Sequence, residues 1–215
     1  MHTLSQRLEK CYSGAVYDVL RERGVTNTVL PKDVRPLDPT RTLAGPVFTV
    51  AGSPKSGIGG HESLIAWTEF LSAAPSGHVV VSTGQDQDRA LMGELSAETL
   101  QFRGVKGYVT DGGCRDCRFI IDISFPVFAR FYTPRDVVGA WTPDTLQEPL
   151  NFMGVTIAPN DYIIADIDGA VVIPGDIAEE VIDQVEAVMQ TENLVRKAIL
   201  EGESPKDAYL KHGKF

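Results

Sequence analysis

Two short segments hold the side chains best suited to chemistry, Gly93-Glu94-Leu95-Ser96-Ala97 and Gly107-Tyr108-Val109-Thr110-Asp111-Gly112-Gly113-Cys114-Arg115-Asp116. Two carboxylates, Glu94 and Asp116, with water or other oxygen ligands beside them, suit Mg2+ or Mn2+. Arg115 could clamp a carboxylate or stabilise the negative charge of a developing enolate. Free backbone N–H groups around Glu94 to Ala97, at a helix start, suit a carboxylate or a phosphate. The same residues also serve a purely structural arrangement, with a helix-start Glu favoured by the dipole and an Arg-Asp pair bracing a turn. At the level of residue types both readings stand.

The elements that must bring these segments together follow from hydrophobic spacing. Val79-Val80-Val81 reads as a short buried strand within 79–83, Leu91, Leu95 and Phe102 give helical spacing from about 90, and 107–111 is a further strand ended by Gly112-Gly113. In such a βαβ unit the helix start and the end of the next strand meet at one sheet edge, where ligands of open α/β folds bind. Around this centre, helices are expected over about 3–23, with a Thr3/Gln6 capping box, Ser13 as a second cap and Gly24 as a stop. Pro31, Pro36 and Pro39 mark an irregular connection over 25–44. A strand over 45–51, a helix over about 61–73, a short helix from Arg115 and an apolar run over 127–132 come next. Strands over 155–157, 162–165 and 170–173 follow, the last two joined by an Asp168-Gly169 hairpin. Asp176 then caps a long helix within a C-terminal helical extension over about 176–212. The expected class is α/β, a single domain over 1–215 with a mixed central sheet flanked by helices.

Composition narrows the partners. The 215 residues carry 20 Lys+Arg against 29 Asp+Glu, a net charge of −9, and no basic cluster of the kind nucleic acid requires. No apolar run reaches the ~18–20 residues of a membrane span, and residues 1–7 lack an apolar signal core. A cytoplasmic location is expected, consistent with only three cysteines.

The two central segments resemble the RraA-like family, which includes the class II pyruvate aldolases acting on 4-hydroxy-4-methyl-2-oxoglutarate and 4-carboxy-4-hydroxy-2-oxoadipate. A second block agrees, Gly154-Val155-Thr156-Ile157 through Pro159-Asn160-Asp161 and Ala165-Asp166-Ile167-Asp168-Gly169-Ala170-Val171-Val172-Ile173-Pro174, as does Ser13-Gly14-Ala15-Val16-Tyr17-Asp18-Val19-Leu20. The resemblance covers most of 13–190 and implies a swivelling-domain type β/β/α fold. The aldolases have an acidic residue, twenty intervening positions, then Arg-Asp; Glu94 and Arg115-Asp116 keep that spacing, with Glu where Asp is usual.

By this resemblance Asp116 binds the metal (Mg2+ or Mn2+) directly, and Glu94 binds it directly or through water. Arg115 binds substrate and stabilises the enolate, while the amides of Gly93, Glu94, Leu95, Ser96 and Ala97 hold a pyruvyl carboxylate. The implied activity is cleavage of a 4-hydroxy-2-oxo di- or tricarboxylic acid to pyruvate, with oxaloacetate decarboxylation. The implied assembly is a homotrimer, or a hexamer of two trimers, with the site between subunits. The family also contains non-catalytic regulators that bind a ribonuclease. These typically lose the acidic residue of the Arg-Asp pair, which is retained here.

The segment Ser53-Pro-Lys-Ser-Gly-Ile-Gly-Gly-His61 departs from the aldolases, so Lys55 and His61 are candidates for reading the distal end of a substrate, beside an ordinary role as surface residues. Cys114-Arg115-Asp116-Cys117 has Cys-x-x-Cys spacing, but no second pair exists to complete a zinc site, and two small side chains near a turn is the favoured reading. Asp161, Asp166 and Asp168 fit turn chemistry better than cation binding. Trp67 and Trp141 are expected in the core or at an interface.

Overall fold

The computed structural model describes residues 2–214. Helices α1 (Leu4–Leu8) and α2 (Ser13–Glu22) come first, then strands β1 (Arg35–Pro36) and β2 (Leu43–Pro54), α3 (Gly60–Ala73) and β3 (Val79–Thr83). The centre holds α4 (Glu94–Phe102), β4 (Gly107–Thr110), β5 (Gly113–Cys114), α5 (Cys117–Asp122), β6 (Val127–Ala129) and β7 (Phe131–Tyr132). Strands β8 (Trp141–Leu146), β9 (Leu150–Phe152), β10 (Val155–Ile157), β11 (Tyr162–Ala165) and β12 (Ala170–Ile173) follow, and α6 (Ala178–Leu200) and α7 (Pro205–His212) end the chain.

The principal sheet runs β1-β6-β4-β3-β2-β11-β12, with β8 also on β2. Strands β2, β3, β4 and β6 are parallel, whereas β1, β8, β11 and β12 pair antiparallel with their neighbours. This is the expected mixed α/β sheet. Every residue of β3 is buried, because helices or further strands cover both faces of a central parallel strand. One face packs Val47, Val79, Val81 and Val109 against Phe152, Val155 and Ile157. The other packs Val80 and Tyr108 against Phe70, Leu100 and Ile120 from α3, α4 and α5. A third cluster seats α2 and α6, through Val16, Leu20, Val181 and Val185, on Ile164, Val171 and Ile173.

Several local expectations change. The helix expected from about 90 starts at Glu94, because residues 89–92 are held in extended pairing with the glycine turn. Ser13 does not cap α2. It occupies the first helical position, and its N–H and hydroxyl both donate to the buried Asp166 carboxylate at 2.7 Å. Asp176 does not cap α6 either; it lies in a 3₁₀ turn, Gly175–Ile177, that leads into the helix. The β11–β12 hairpin forms, but its loop is residues 166–169, and within it only Gly169 takes positive φ, +149°. Strands β8 and β9 were not anticipated, because Trp141–Leu146 contains Pro143 and lacks strict alternation. The turn reading of the acidic cluster holds: Asp161 accepts the Ala158 and Gly175 N–H groups at 2.8 and 2.9 Å. No helix is long and apolar enough to cross a membrane among the described residues.

Asp166 ties the start of α2 to the β11–β12 loop, accepting also the Asp168 N–H at 3.0 Å. Asp166→Ala strands the buried Ser13 donors, and is expected to cost about 3 kcal/mol of unfolding free energy in urea titrations.

Candidate active site

After β3 the chain crosses a loop, residues 84–93, before α4. Asp111 Oδ1 accepts the Gly84 N–H at 2.6 Å. Buried Asp86 accepts the N–H groups of Asp88 and Arg89 at 2.8 and 2.9 Å and pairs with the Arg89 guanidinium at 2.7 Å. Burial opposes the Asp86 charge, but these donors prevail and hold its carboxyl below the usual range. For Asp111, burial prevails over the Gly84 bond and pushes the carboxyl up.

The loop then runs alongside the glycine turn in a short parallel ladder. Gly113 N–H donates to Arg89 O at 3.1 Å, Leu91 N–H to Gly113 O at 2.8 Å, and Arg115 N–H to Met92 O at 2.9 Å. Position 113 has to be glycine for this approach, since a Cβ there would lie 2.6 Å from the Phe131 ring. The ladder sets the N-terminus of α4 against Arg115 and Asp116.

At that junction α4 lacks a cap of its own, because its N-cap is Gly93. Asp116 supplies one from across the turn, its Oδ2 accepting the Glu94 N–H at 3.2 Å. Asp116 is itself the N-cap residue of α5 but does not cap that helix, and it sits in the left-handed region at φ 54°, ψ 32°. Successive residues of an extended chain point to opposite sides; the left-handed turn lets neighbours Arg115 and Asp116 reach one cleft. Arg115 Nε lies 3.3 Å from Asp116 Oδ2, and its Nη1 lies 3.1 Å from Asp136 Oδ2. The N–H groups of Leu95 and Ser96, in the first turn, have no intrahelical acceptor and point out of the helix start.

These groups form one end of a cleft of about 500 Å3. The structure thus brings Gly93, Glu94, Leu95, Ser96, Arg115 and Asp116 together around it, while Ala97 is buried one residue deeper. Trp67 and Leu71 of α3, Met92, Val138 and Trp141 line the rest. The Trp67 indole N–H donates to Ser96 Oγ at 2.9 Å, which joins α3 to the start of α4.

The donor set at the mouth consists of carboxylates, without thiol or imidazole, which is the hard-oxygen type that Mg2+ and Mn2+ prefer. Both protein contacts of Asp116 fall on Oδ2, which leaves Oδ1 for a ligand. No three His, Cys, Asp or Glu side chains converge among the described residues. An ion held by Asp116 and Glu94 would therefore take water or ligand oxygens for the rest of its shell, as Mg2+ commonly does.

Other candidates lie elsewhere. Lys55 donates to Asp144 at 2.6 Å and to Ser53 at 2.8 Å in a separate shallow cleft, and neither it nor exposed His61 lines this one. Cys114 and Cys117 are free thiols, and burial raises the pKa of each. That opposes thiolate chemistry and fits small packing side chains. Sequence reasoning missed Asp136 and the α3 wall. The wall has a signal, because Leu64, Trp67, Thr68 and Leu71 repeat at the spacing of one helical face. Asp136 has none, since it reaches Arg115 only through the fold.

The family model described as RraA-like, Aldolase/RraA, matches residues 13–172. This chain belongs to the RraA-like family. DlpA of Legionella pneumophila is 29% identical over 211 residues, 97% of this chain but only 33% of that protein, so the chain spans a third of its length. A relative from Halalkalibacterium halodurans, named "putative 4-hydroxy-4-methyl-2-oxoglutarate aldolase", is 27% identical over 191 residues, 87% of this chain and 85% of its own. The crystal structure of Streptomyces coelicolor RraAS2, described as an unusual member of the RNase ES inhibitor RraA protein family, matches with a TM-score of 0.81 at 25% identity. It covers 90% of this chain and 96% of that one.

A Cβ on Gly93 would lie 2.9 Å from Asp116 Oδ2 and 3.0 Å from Arg115 Nε. These are side-chain atoms that can move aside, so Gly93→Ala should keep its melting temperature within a few degrees while a crystal structure shows both side chains displaced. Asp86 contributes stability above the ordinary carboxylate range and loses it as the pH falls through its lowered value. The stability gap between wild type and Asp86→Asn in urea melts should narrow below about pH 4.

Proposed function

We propose that this protein is a divalent-cation-dependent lyase that cleaves a carbon–carbon bond of a 4-hydroxy-2-oxo acid to release pyruvate, and that also decarboxylates oxaloacetate. The observation that carries the reading is the junction of Arg115, Asp116 and Glu94 at the open start of α4. The aldolase name of the Halalkalibacterium halodurans relative supports it.

The Leu95 and Ser96 N–H groups, at the positive end of α4, bind the pyruvyl carboxylate. Asp116 and Glu94 would hold Mg2+ or Mn2+, which when bound supplies Lewis acidity at the 2-keto oxygen. Transfer of the 4-hydroxyl proton to a water in the cleft lets the C3–C4 bond break, its electron pair passing to C3 and the 2-keto oxygen as an enolate while C4 leaves as a carbonyl. The Arg115 guanidinium donates to the enolate oxygen and offsets its charge in a cleft walled by apolar groups. Protonation at C3 gives pyruvate. Oxaloacetate reaches the same enolate by losing CO2. Asp116 and Asp136 hold Arg115 between them, which limits its rotamers before substrate arrives.

The reading includes assembly as a trimer or a hexamer of two trimers, supported by Leu95, Phe102 and Phe119, large apolar side chains exposed on α4 and α5. Light scattering giving a monomer mass would remove that part.

The test is pyruvate release from 4-hydroxy-2-oxo acids and oxaloacetate. Chelator is expected to abolish it and added Mg2+ or Mn2+ to restore it. Asp116→Ala should lower kcat/KM on the order of 100-fold or more; an unchanged rate sinks the mechanism. A second reading, a non-catalytic regulator that binds a ribonuclease, draws on the description of RraAS2. Capture of a ribonuclease with no pyruvate from any acid would favour it.

A further inference from the structure

Five hydroxyl-bearing side chains line the cleft, Ser63, Thr68, Ser72, Ser96 and Thr99. Four of them donate within their own helix: Ser63 to Gly60 O at 3.0 Å, Thr68 to Leu64 O at 2.9 Å, Ser72 to Thr68 O at 2.7 Å and Thr99 to Leu95 O at 2.7 Å. A carbonyl three or four residues back is the ordinary outlet for a helical hydroxyl. Ser96 has no such outlet. It stands in the first turn of α4, so the corresponding carbonyls belong to Gly93 and Met92, before the helix. Gly93 O accepts the Ala97 N–H at 3.0 Å, and Met92 O accepts the Arg115 N–H at 2.9 Å.

The partner of Ser96 Oγ is the Trp67 indole N–H, at 2.9 Å. An indole N–H can only donate. Ser96 Oγ is therefore the acceptor, and its own hydrogen has no acceptor among the described residues. Helical side chains lean toward the N-terminus of their helix, which here is the end where the Leu95 and Ser96 amides are free.

We infer that the Ser96 hydroxyl, oriented by Trp67, is a third donor to the ligand carboxylate, beside the amides of Leu95 and Ser96. This rests on the proposed reading of the site and adds to it one binding side chain, Ser96, and one positioning residue, Trp67. A carboxylate accepts about four hydrogen bonds, so a third donor displaces neither the amides nor a cation on its other oxygen. The bond from Trp67 fixes the oxygen, and a hydroxyl that accepts one bond donates the next more strongly. The bond it gives to a carboxylate is charge-assisted. Ser96 and Trp67 meet within one chain, so the pair is complete without a neighbouring subunit.

The test measures pyruvate binding by calorimetry on the full chain at saturating Mg2+, with oxaloacetate turnover beside it. Ser96→Ala should weaken pyruvate binding about tenfold, with Mg2+ affinity unchanged and the melting temperature within a few degrees of wild type. The carboxylate is held alike in substrate and transition state, so KM for oxaloacetate should rise by the same factor while kcat changes less than about threefold. Ser96→Thr keeps the hydroxyl and should restore binding and KM to within about threefold of wild type. Trp67→Phe removes the N–H and keeps an aromatic ring. It should weaken pyruvate about threefold by itself and add nothing in the Ser96→Ala background.

Wild-type pyruvate affinity in Ser96→Ala overturns the inference, as does a loss explained by weaker Mg2+ binding. So does Ser96→Thr binding as weakly as Ser96→Ala, or a fall in kcat with KM unchanged. Effects of Trp67→Phe and Ser96→Ala that add in full overturn the positioning role of Trp67. Ser96-dependent pyruvate binding without turnover of oxaloacetate or any 4-hydroxy-2-oxo acid supports the inference and overturns the lyase reading alone. Turnover that Ser96→Ala leaves untouched does the reverse, and a wild type with neither binding nor turnover overturns both.

Discussion

Three backbone hydrogen bonds between residues 89–92 and 113–115 are the constraint on which the site depends. They are main-chain bonds, so they set register whatever the side chains nearby. Their effect is to end the loop after β3 at a defined point and to start α4 at Glu94, opposite Arg115 and Asp116. Without them the twenty intervening positions would place the two segments only at the same sheet edge. With them, the carboxylate of Asp116 comes within hydrogen-bonding range of the first amide of α4.

The ladder also explains why Asp116 accepts an unfavourable backbone. A left-handed conformation costs an ordinary residue on the order of 1–2 kcal/mol, somewhat less for Asp. It forgoes capping its own helix, α5. In return its carboxylate serves α4, which has glycine as N-cap, and lies at the positive end of that helix, where negative charge is favoured. Arg115 is then held between Asp116 and Asp136. The local charge is thus arranged around one cation, and the net charge of −9 says little about it. Most of the 29 acidic residues have other tasks, as Asp166 and Asp161 do in fastening loops.

The apolar side of the cleft depends on a different interaction. Trp67 donates to Ser96 across the gap between α3 and α4, and Trp141 closes behind it with its own N–H on Gly84 O at 2.8 Å. Trp67 therefore connects the wall to the start of α4, and Trp141 connects it to the loop that the ladder anchors. The polar and apolar ends are parts of one rigid arrangement on the edge of the parallel strands.

Much of this was legible from the sequence. The valines of β3, the capping box at Thr3 and the turn chemistry around Asp161 and Asp168 are local properties, set by side-chain period and backbone preference over a few residues. The spacing of Glu94 from Arg115-Asp116, with its family resemblance, is local in the same sense. Where the sequence misled, the deciding partner was distant: Asp166 made Ser13 a donor instead of a cap. Asp136 beside Arg115, and the Trp67–Ser96 bond that sets the α3 face against the start of α4, belong to the tertiary structure as well. These contacts join residues tens of positions or more apart, so no periodicity within either segment encodes them. Only the packing of the helices on the sheet, and the register it imposes, decides which side chains meet.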